Sequence, residues 1–437
     1  MDSGQAPRRI GELLMERRLI TQRQLDEALS QQRASKEFIG EILVRLGFVK
    51  PEALLAVLSE RYNIPHEPLT VDRVDWELVK QFPADSVGLS NLAVAHMLHR
   101  DMERALEVGR KASAIYPMNV LRKNNVALFA MYSGKFEEAE KQAAAVLEMN
   151  KEFPKAYVAM GVSQLALGRP PDATATFKRA EGVSAAARDF ASHGLADQAL
   201  YEGRLADAAA ILEKAIATPG APASVARFKA TLAEVRVRQG RNAEALKLVD
   251  ESLKDTPDLA VRFFAGRVAI EAGKPAEALI ASLGQAIDNE SRMHGKLLEG
   301  EALLHPTTQS PRGGDPGLAR GNAREALARF GEAQQFLDSW LGRFGLGRAY
   351  LELGAFVEAQ GEFERCLKRQ GEATTLMVDD IATYRFLAPV HYYLGRAQEG
   401  VKSPAAAASF KTFLDIKQRG DEAGGLVADA RRRLTAQ

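Results

Sequence analysis

Two stretches of this 437-residue chain carry the same residue types in the same order, 29 residues apart. Arg9-Ile10-Gly11 is followed by Leu14, Leu19, Leu25, Leu29 and Gln32. Phe38-Ile39-Gly40 is followed by Leu43, Phe48, Leu54, Leu58 and Arg61. Tandem blocks with a fixed glycine suggest one ligand held between duplicated half-sites, and equally a plain duplication of a helical unit; both readings stay open. Other chemistry finds less support. Histidines 66, 96, 99, 193, 294, 305 and 391 are scattered. His96 and His99 could share a helix face, but no carboxylate or thiol stands at ligand spacing, so no metal is expected. Cys366 falls at a small-residue position and reads as core packing. Asp379 and Asp380 are neighbours, which on a helix do not converge on one substrate. No G-x-S-x-G, H-E-x-x-H, G-x-G-x-x-G or G-x-x-x-x-G-K-[ST] occurs, so no enzyme activity and no cofactor are expected, a small ligand at the blocks aside.

The elements that would position the blocks are short helices. Leu14, Leu25 and Leu29 mark apolar faces at helical spacing in a helix–turn–helix. Thr21 is placed to cap the second helix, with Gln24 three residues on as in a capping box. Pro51 suits the first turn of the matching helix in the second block. Gly11 and Gly40 lie where a side chain would hold another group away. Asn63 to Pro83, with Pro65, Pro68, Pro83 and Trp76, has little periodicity. It reads as the end of a first domain (1–69) and a linker (70–85).

A second period follows. Glycines 134, 168, 203, 240, 273 and 354 are each followed five residues later by alanine, at 139, 173, 208, 245, 278 and 359. A further alanine, Ala105, lies 34 residues before Ala139, and small residues stand twelve before these seven alanines, at Ala93, Ala127, Gly161, Ala196, Ala233, Gly266 and Gly347. A period near 34 with small residues at fixed places predicts stacked helix pairs, the glycine ending each first helix in a left-handed conformation. The fold class is all-α, an α-solenoid of about nine units over 86–417. The Pro-, Gly- and Ser-rich stretch 305–322 is expected as an exposed loop. Residues 418–437 are expected to hold a capping helix near Leu426–Leu434, with Arg431, Arg432 and Arg433 on a solvated face.

Composition narrows the partners. The chain is 46% apolar and 26% charged with a formal charge of +1, which leaves no global basic footprint for nucleic acid. One cysteine fits a reducing compartment. No run approaches a membrane span and no signal peptide is apparent, so the expected placement is cytoplasmic.

The array resembles the tetratricopeptide repeat, most clearly at Leu346-Gly347, Tyr350, Gly354, Ala359 and Phe363, and at Tyr157, Gly161, Gly168, Ala173 and Phe177, with Pro117 and Pro257 where that family often ends a repeat. The resemblance covers about three quarters of the chain and implies a concave groove that binds a protein or peptide partner. Asn91, Asn125 and Lys155 resemble part of the carboxylate clamp of chaperone-binding members. Ser90 and Ala159 stand in two other clamp positions, so chaperone binding is not carried over. The stretch Tyr392–Ala397 is similar to repeat arrays fused to bacterial serine/threonine kinases, without a kinase motif.

The tandem blocks resemble the N-terminal domain of the MshE-type ATPases, the motors of type II secretion and type IV pili. That resemblance implies a cyclic di-GMP site at Arg9, Ile10, Gly11, Leu25, Leu29 and Gln32 of the first block and Ile39, Gly40, Leu54 and Leu58 of the second. Arg and Gln would bond guanine edges and phosphates, and leucines would pack on the purines. The second block departs from the family at both polar ends. Phe38 stands for the arginine and Arg61 for the glutamine, and each lost charge-assisted bond costs on the order of 1.5–3 kcal/mol. Phe38 could stack on a base and Arg61 could reach a phosphate. The family's ATPase is replaced by the array, which implies an adaptor that senses or docks on secretion or pilus machinery. The alternative is a structural scaffold whose first module binds no nucleotide.

Overall fold

The computed structural model describes residues 10–35, 38–62, 86–255, 258–305, 316–378 and 381–435, and every regular element among them is helical. The amino-terminal module is α1 (Ile10–Glu16), α2 (Gln22–Ser35), α3 (Ile39–Arg45) and α4 (Pro51–Tyr62). Thr21 and Gln24 form the reciprocal capping box: the Thr21 amide donates to Gln24 Oε1 at 2.8 Å, and the Gln24 amide to Thr21 Oγ1 at 3.3 Å. Pro51 opens α4. α1 packs on α4 and α2 on α3, as two copies related by a pseudo-two-fold would. Leu14, Leu25, Ala28, Ile42, Leu43, Leu54 and Val57 fill the core between them.

Nine helical hairpins follow among the described residues. They are α5 (Ser86–Leu98) with α6 (Met102–Ile115), α7 (Val120–Tyr132) with α8 (Phe136–Met149), and α9 (Pro154–Ala166) with α10 (Pro170–Glu181). Then come α11 (Ala185–Glu202) with α12 (Leu205–Ala217), α13 (Pro222–Arg238) with α14 (Asn242–Asp255), and α15 (Leu259–Glu271) with α16 (Glu277–Gly284). The last three are α17 (Asn289–Leu304) with α18 (Pro316–Phe336), α19 (Trp340–Leu353) with α20 (Phe356–Lys368), and α21 (Ala388–Gly400) with α22 (Ala406–Ile416); α23 (Gly425–Thr435) closes the stack.

The six glycines of the period all have φ between 73° and 77°, where a β-carbon is disfavoured. Alanines 105, 139, 173, 208, 245 and 359 are fully buried. The small residue twelve positions earlier admits a large one from the second helix: a β-carbon on Gly161 would lie 2.6 Å from the Phe177 ring.

Three expectations are corrected. Ala278 is exposed, because α16 is short and starts late; Ala276 and Leu283 are the buried residues there. The loop over 305–322 is too long, since Pro316–Asn322 is already the start of α18, with Pro at N1. Arg433 is not on a solvated face: it pairs with Asp429 at 2.5 Å and with Glu399 of α21, tying the cap to the last hairpin. Pro65, Pro68, Trp76, Pro83, Pro257, Asp379 and Asp380 lie outside the described residues.

The array departs from a plain solenoid between α20 and α21. There the chain forms short 3-10 helices, Gln370–Ala373 and Tyr384–Phe386, and residues 371–377 and 381–388 are buried. A second departure follows α22. The Asp421 carboxylate caps α12 from a distance, accepting from the amides of Leu205 at 2.6 Å and Ala206 at 3.0 Å. Lys417 donates to the Leu200 carbonyl at 3.0 Å, and Glu422 binds Arg238 at 2.7 Å. The segment that follows α22 thus clasps the fourth and fifth hairpins.

Candidate functional site: a filled channel and an open rim

One residue beyond the small position, successive first helices present Asp197, Glu234, Arg267, Glu301 and Arg348. The same place in the first three hairpins holds Val94, Leu128 and Val162. The lining of the concave face therefore changes from apolar to charged after the third hairpin. Gln370–Val378 and Ile381–Leu387 sit in it. Arg385, with its side chain 3% exposed, donates Nη1 to Asp197 Oδ1 at 2.9 Å and Nε to Glu234 Oε2 at 3.0 Å. Its guanidinium also lies 5.3 Å from the Phe264 ring centre, and Phe386 stacks on Phe264 at 6.1 Å. The Arg267 guanidinium lies over the Phe386 ring, 4.6 Å from its centre. Tyr384 meets Tyr201 at 5.2 Å and the edge of Phe136 at 6.4 Å. Arg100 donates to the Leu376 carbonyl at 3.3 Å and to Glu290 at 2.7 Å, joining the first hairpin to the seventh. Gly371 packs directly on backbone: a β-carbon there would stand 2.3 Å from the Gly134 nitrogen.

Electrostatics follow the burial. Desolvation pushes Asp197 up, with Arg385 pulling against it. Desolvation also pushes Glu234 up, but Arg385, Arg267 and Arg238 together hold it below the usual carboxylate range. Burial disfavours the charge on Arg385, yet Glu234 and Asp197 outweigh that and raise it. Burial and Arg238 bring Lys417 down to about 8.

Models of the tetratricopeptide repeat match residues 127–190, 199–265 and 312–372. The chain carries tetratricopeptide repeats. Solved structures similar to it include a human IFIT1 dimer with PPP-AAAA, at 16% identity over 95% of this chain and 86% of that one with a TM-score of 0.36. The P58(IPK) TPR domain is 14% identical over 80% and 99%, TM-score 0.22, and yeast Tom70 is 10% identical over 80% and 95%, TM-score 0.26. At these scores the likeness carries no argument about function. No curated protein matches the chain.

The repeats do not leave the groove open along its length, as the sequence led us to expect. The chain's own segment fills part of it, against residues of the first and second hairpins at Arg100, Phe136 and Gly134 as well as of the fourth, fifth and sixth. At the first three hairpins the amino-terminal ends of the first helices form an open rim. Asn91 and Lys155 are exposed there and Asn125 is half-buried. Arg122 lies 5.0 Å over Tyr116 and reaches Ser90 Oγ at 3.4 Å, so the starts of α5 and α7 and the end of α6 share one edge. That edge carries exposed apolar side chains: Val87 at 60%, Met118 at 79%, Tyr116 and Leu121.

In the amino-terminal module, Gly11 and Gly40 face leucines of their own blocks. A β-carbon on Gly11 would lie 2.5 Å from Leu25, and one on Gly40 2.9 Å from Leu54. The glycines thus close the helical hairpins. Leu25 and Leu54 are buried in the core of the module. Ile10, Gln32, Ile39 and Leu58 are half-buried, while Leu29 and Phe38 are exposed, Phe38 at 79%. Arg9 and the side chain of Arg61 lie outside the described residues.

Elsewhere, His96 is buried and His99 exposed, so the two do not converge. Cys366 is in the core, and burial pushes its thiol up. Among the described residues no group of three His, Cys, Asp or Glu could hold a metal ion, and no helix is long and apolar enough to cross a membrane.

Proposed function

We propose that this chain is a non-enzymatic scaffold that docks a protein partner on the open rim of its first three repeats. The supporting observation is the apolar edge of Val87, Tyr116, Met118 and Leu121, bordered by Asn91, Asn125, Arg122 and Lys155. An apolar edge with cationic and amide neighbours suits a peptide segment of apolar side chains with flanking carboxylates. The test is a photo-crosslinking residue in place of Leu121, with a second placed at exposed Val357 on α20 as control. Discrete protein adducts from position 121, lost on Met118→Asp, are expected. Identical adducts from both positions, or adducts indifferent to Met118→Asp, overturn the reading.

A second reading gives the amino-terminal module a cyclic di-GMP ligand and a place on secretion or pilus machinery in the cytoplasm. The exposure of Phe38 and Leu29, with half-buried Gln32 three residues after Leu29, favours it, because aromatic and aliphatic side chains left in solvent can pack on a base. The buried Gly11–Leu25 and Gly40–Leu54 contacts favour the scaffold reading instead, since they account for those residues by packing alone. Calorimetry of the full chain with cyclic di-GMP decides it. Heat that Gln32→Ala and Phe38→Ala both remove supports the nucleotide; no heat up to millimolar ligand refutes it.

A further inference from the structure

We propose that Gln370–Val378 and Ile381–Leu387 are a resident occupant of the repeat channel that exchanges with a partner segment of the same chemistry, an arginine flanked by aromatic residues. The proposal rests on the scaffold reading only in requiring a partner; its test is independent of the rim.

The seat has the composition of a recognition site. Asp197 and Glu234 come from adjacent first helices and converge on one guanidinium. Phe264 and Arg267 hold the aromatic side chain after it, and Phe136 and Tyr201 hold the one before. All but Phe136, which opens α8, come from first helices, the helices on which stacked helix pairs bind extended segments. Tyr384-Arg385-Phe386 is therefore bound as a peptide would be, through one charged anchor between two rings.

The seat is also imperfectly made. Val378, β-branched and packed on the core, has φ +53°, a left-handed conformation costly for its side chain. Thr375 Oγ1 in the segment, Asp197 Oδ2 facing it and His294 Nε2 beside it are buried without a hydrogen-bond partner. A cavity of about 10 Å³, room for a single water, lies between Thr375, Leu376, His294 and Arg100. A buried charge triad returns little net free energy once desolvation is counted. Apolar burial of Leu376, Met377, Tyr384, Phe386 and Leu387 holds the segment, while strain and unmet polar atoms oppose it. A permanent strut has no need of such opposition; an exchangeable occupant does.

The experiment uses the full chain. Hydrogen exchange is followed by mass spectrometry, and a fluorescein-labelled peptide with the sequence of residues 381–389 is titrated by anisotropy. In the wild type, amides of 371–377 and 381–387 are expected to exchange roughly 100-fold faster than those of α11 and α13, through local opening. Val378→Gly, which relieves the strained backbone, should slow that exchange several-fold. Arg385→Ala should vacate the seat and raise labelled-peptide affinity about tenfold or more, because the competing occupant is gone; adding Asp197→Asn and Glu234→Gln should abolish the binding. Protection of 371–387 equal to that of α11 overturns the proposal, and so does a folded Arg385→Ala chain that ignores the peptide. If Arg385→Ala fails to fold, the wild-type and Val378→Gly exchange rates decide alone.

Discussion

Replacing Arg385 by methionine tests how much the charged channel contributes to stability. The guanidinium is buried with Asp197, at 2% exposure, and with Glu234. It makes two charge-assisted hydrogen bonds of 2.9 and 3.0 Å and lies near two rings. Methionine keeps much of the stem's apolar contact and removes the charge, leaving two carboxylates buried against each other. Breaking a buried pair from one side costs on the order of 3–5 kcal/mol, because the surviving charge stays desolvated. Arg267 and Arg238 still face Glu234, so the loss falls mainly on Asp197 and belongs toward the lower end. Adding Asp197→Asn and Glu234→Gln should recover roughly 2 kcal/mol by removing the uncompensated charges. Urea unfolding of the three proteins followed by circular dichroism at 222 nm gives the comparison. A loss below about 1 kcal/mol for Arg385→Met, or no recovery in the triple variant, would show that water reaches the site and that the buried-triad reasoning is wrong.

Other outcomes follow from the same contacts. Asp421→Ala removes a helix cap supplied from more than two hundred residues away and should cost about 1–2 kcal/mol, while Asp421→Asn, which keeps an acceptor, should cost less; equal losses would argue against capping. Gly371→Ala sets a β-carbon against the backbone of Tyr132 and Gly134 and should expel the 3-10 turn, read as new protease cleavage near 370; an unchanged digest refutes the fit. Burial holds His193 down to about 3 and His294 to about 4, so both stay neutral in the fold while the unfolded chain takes up protons below pH 6.5. The stability they contribute is present above pH 6.5 and is lost as pH falls, about 1.4 kcal/mol each at pH 5.5. Burial raises Asp197, Glu271, Glu290 and Glu372, which acts with the opposite sign. The histidine share is therefore the difference between the wild-type and His294→Gln profiles, and parallel profiles would contradict it. Gly11→Ala should destabilise the amino-terminal module through contact with Leu25, and Leu25→Ala in the same chain should partly restore it; absence of coupling would count against the packing.

The repeat pairs were readable from the sequence because each left-handed glycine and each buried alanine is a local requirement repeated in phase. The segment that fills part of the groove was not legible because its contacts are not local. Gly347 and Gly395 are 48 residues apart where the usual step is near 34. The surplus is apolar, with Leu376, Met377, Val378, Ile381, Tyr384, Phe386 and Leu387, unlike the Pro- and Gly-rich surplus at 306–315. An apolar insertion must find a core, and the only large concavity a solenoid provides is its own. The charges at Asp197, Glu234, Arg267, Glu301 and Arg348 carried a further signal, since charged residues recurring at one inward register call for an ionic partner within the chain or outside it. The amino-terminal glycines were legible as close contacts, but which group approached them was not. A leucine of the same block and a bound ligand satisfy the same spacing, so the sequence pattern alone does not name the neighbour that glycine-sized gaps admit at Gly11 and Gly40; in the fold it is Leu25 and Leu54.

The clasp formed by Lys417, Asp421 and Glu422 gives the array a fixed length. In an open stack a hairpin can be duplicated or deleted, and its neighbours simply dock on the next one along. Here the stacking from the fourth hairpin to the ninth must bring the segment after α22 back to α12 and α13, or Asp421 misses the start of α12 and Glu422 misses Arg238. Lengthening or shortening this chain by a single unit between those points would cost it both ends of the fastening at once, so its copy number is set by geometry and not by drift.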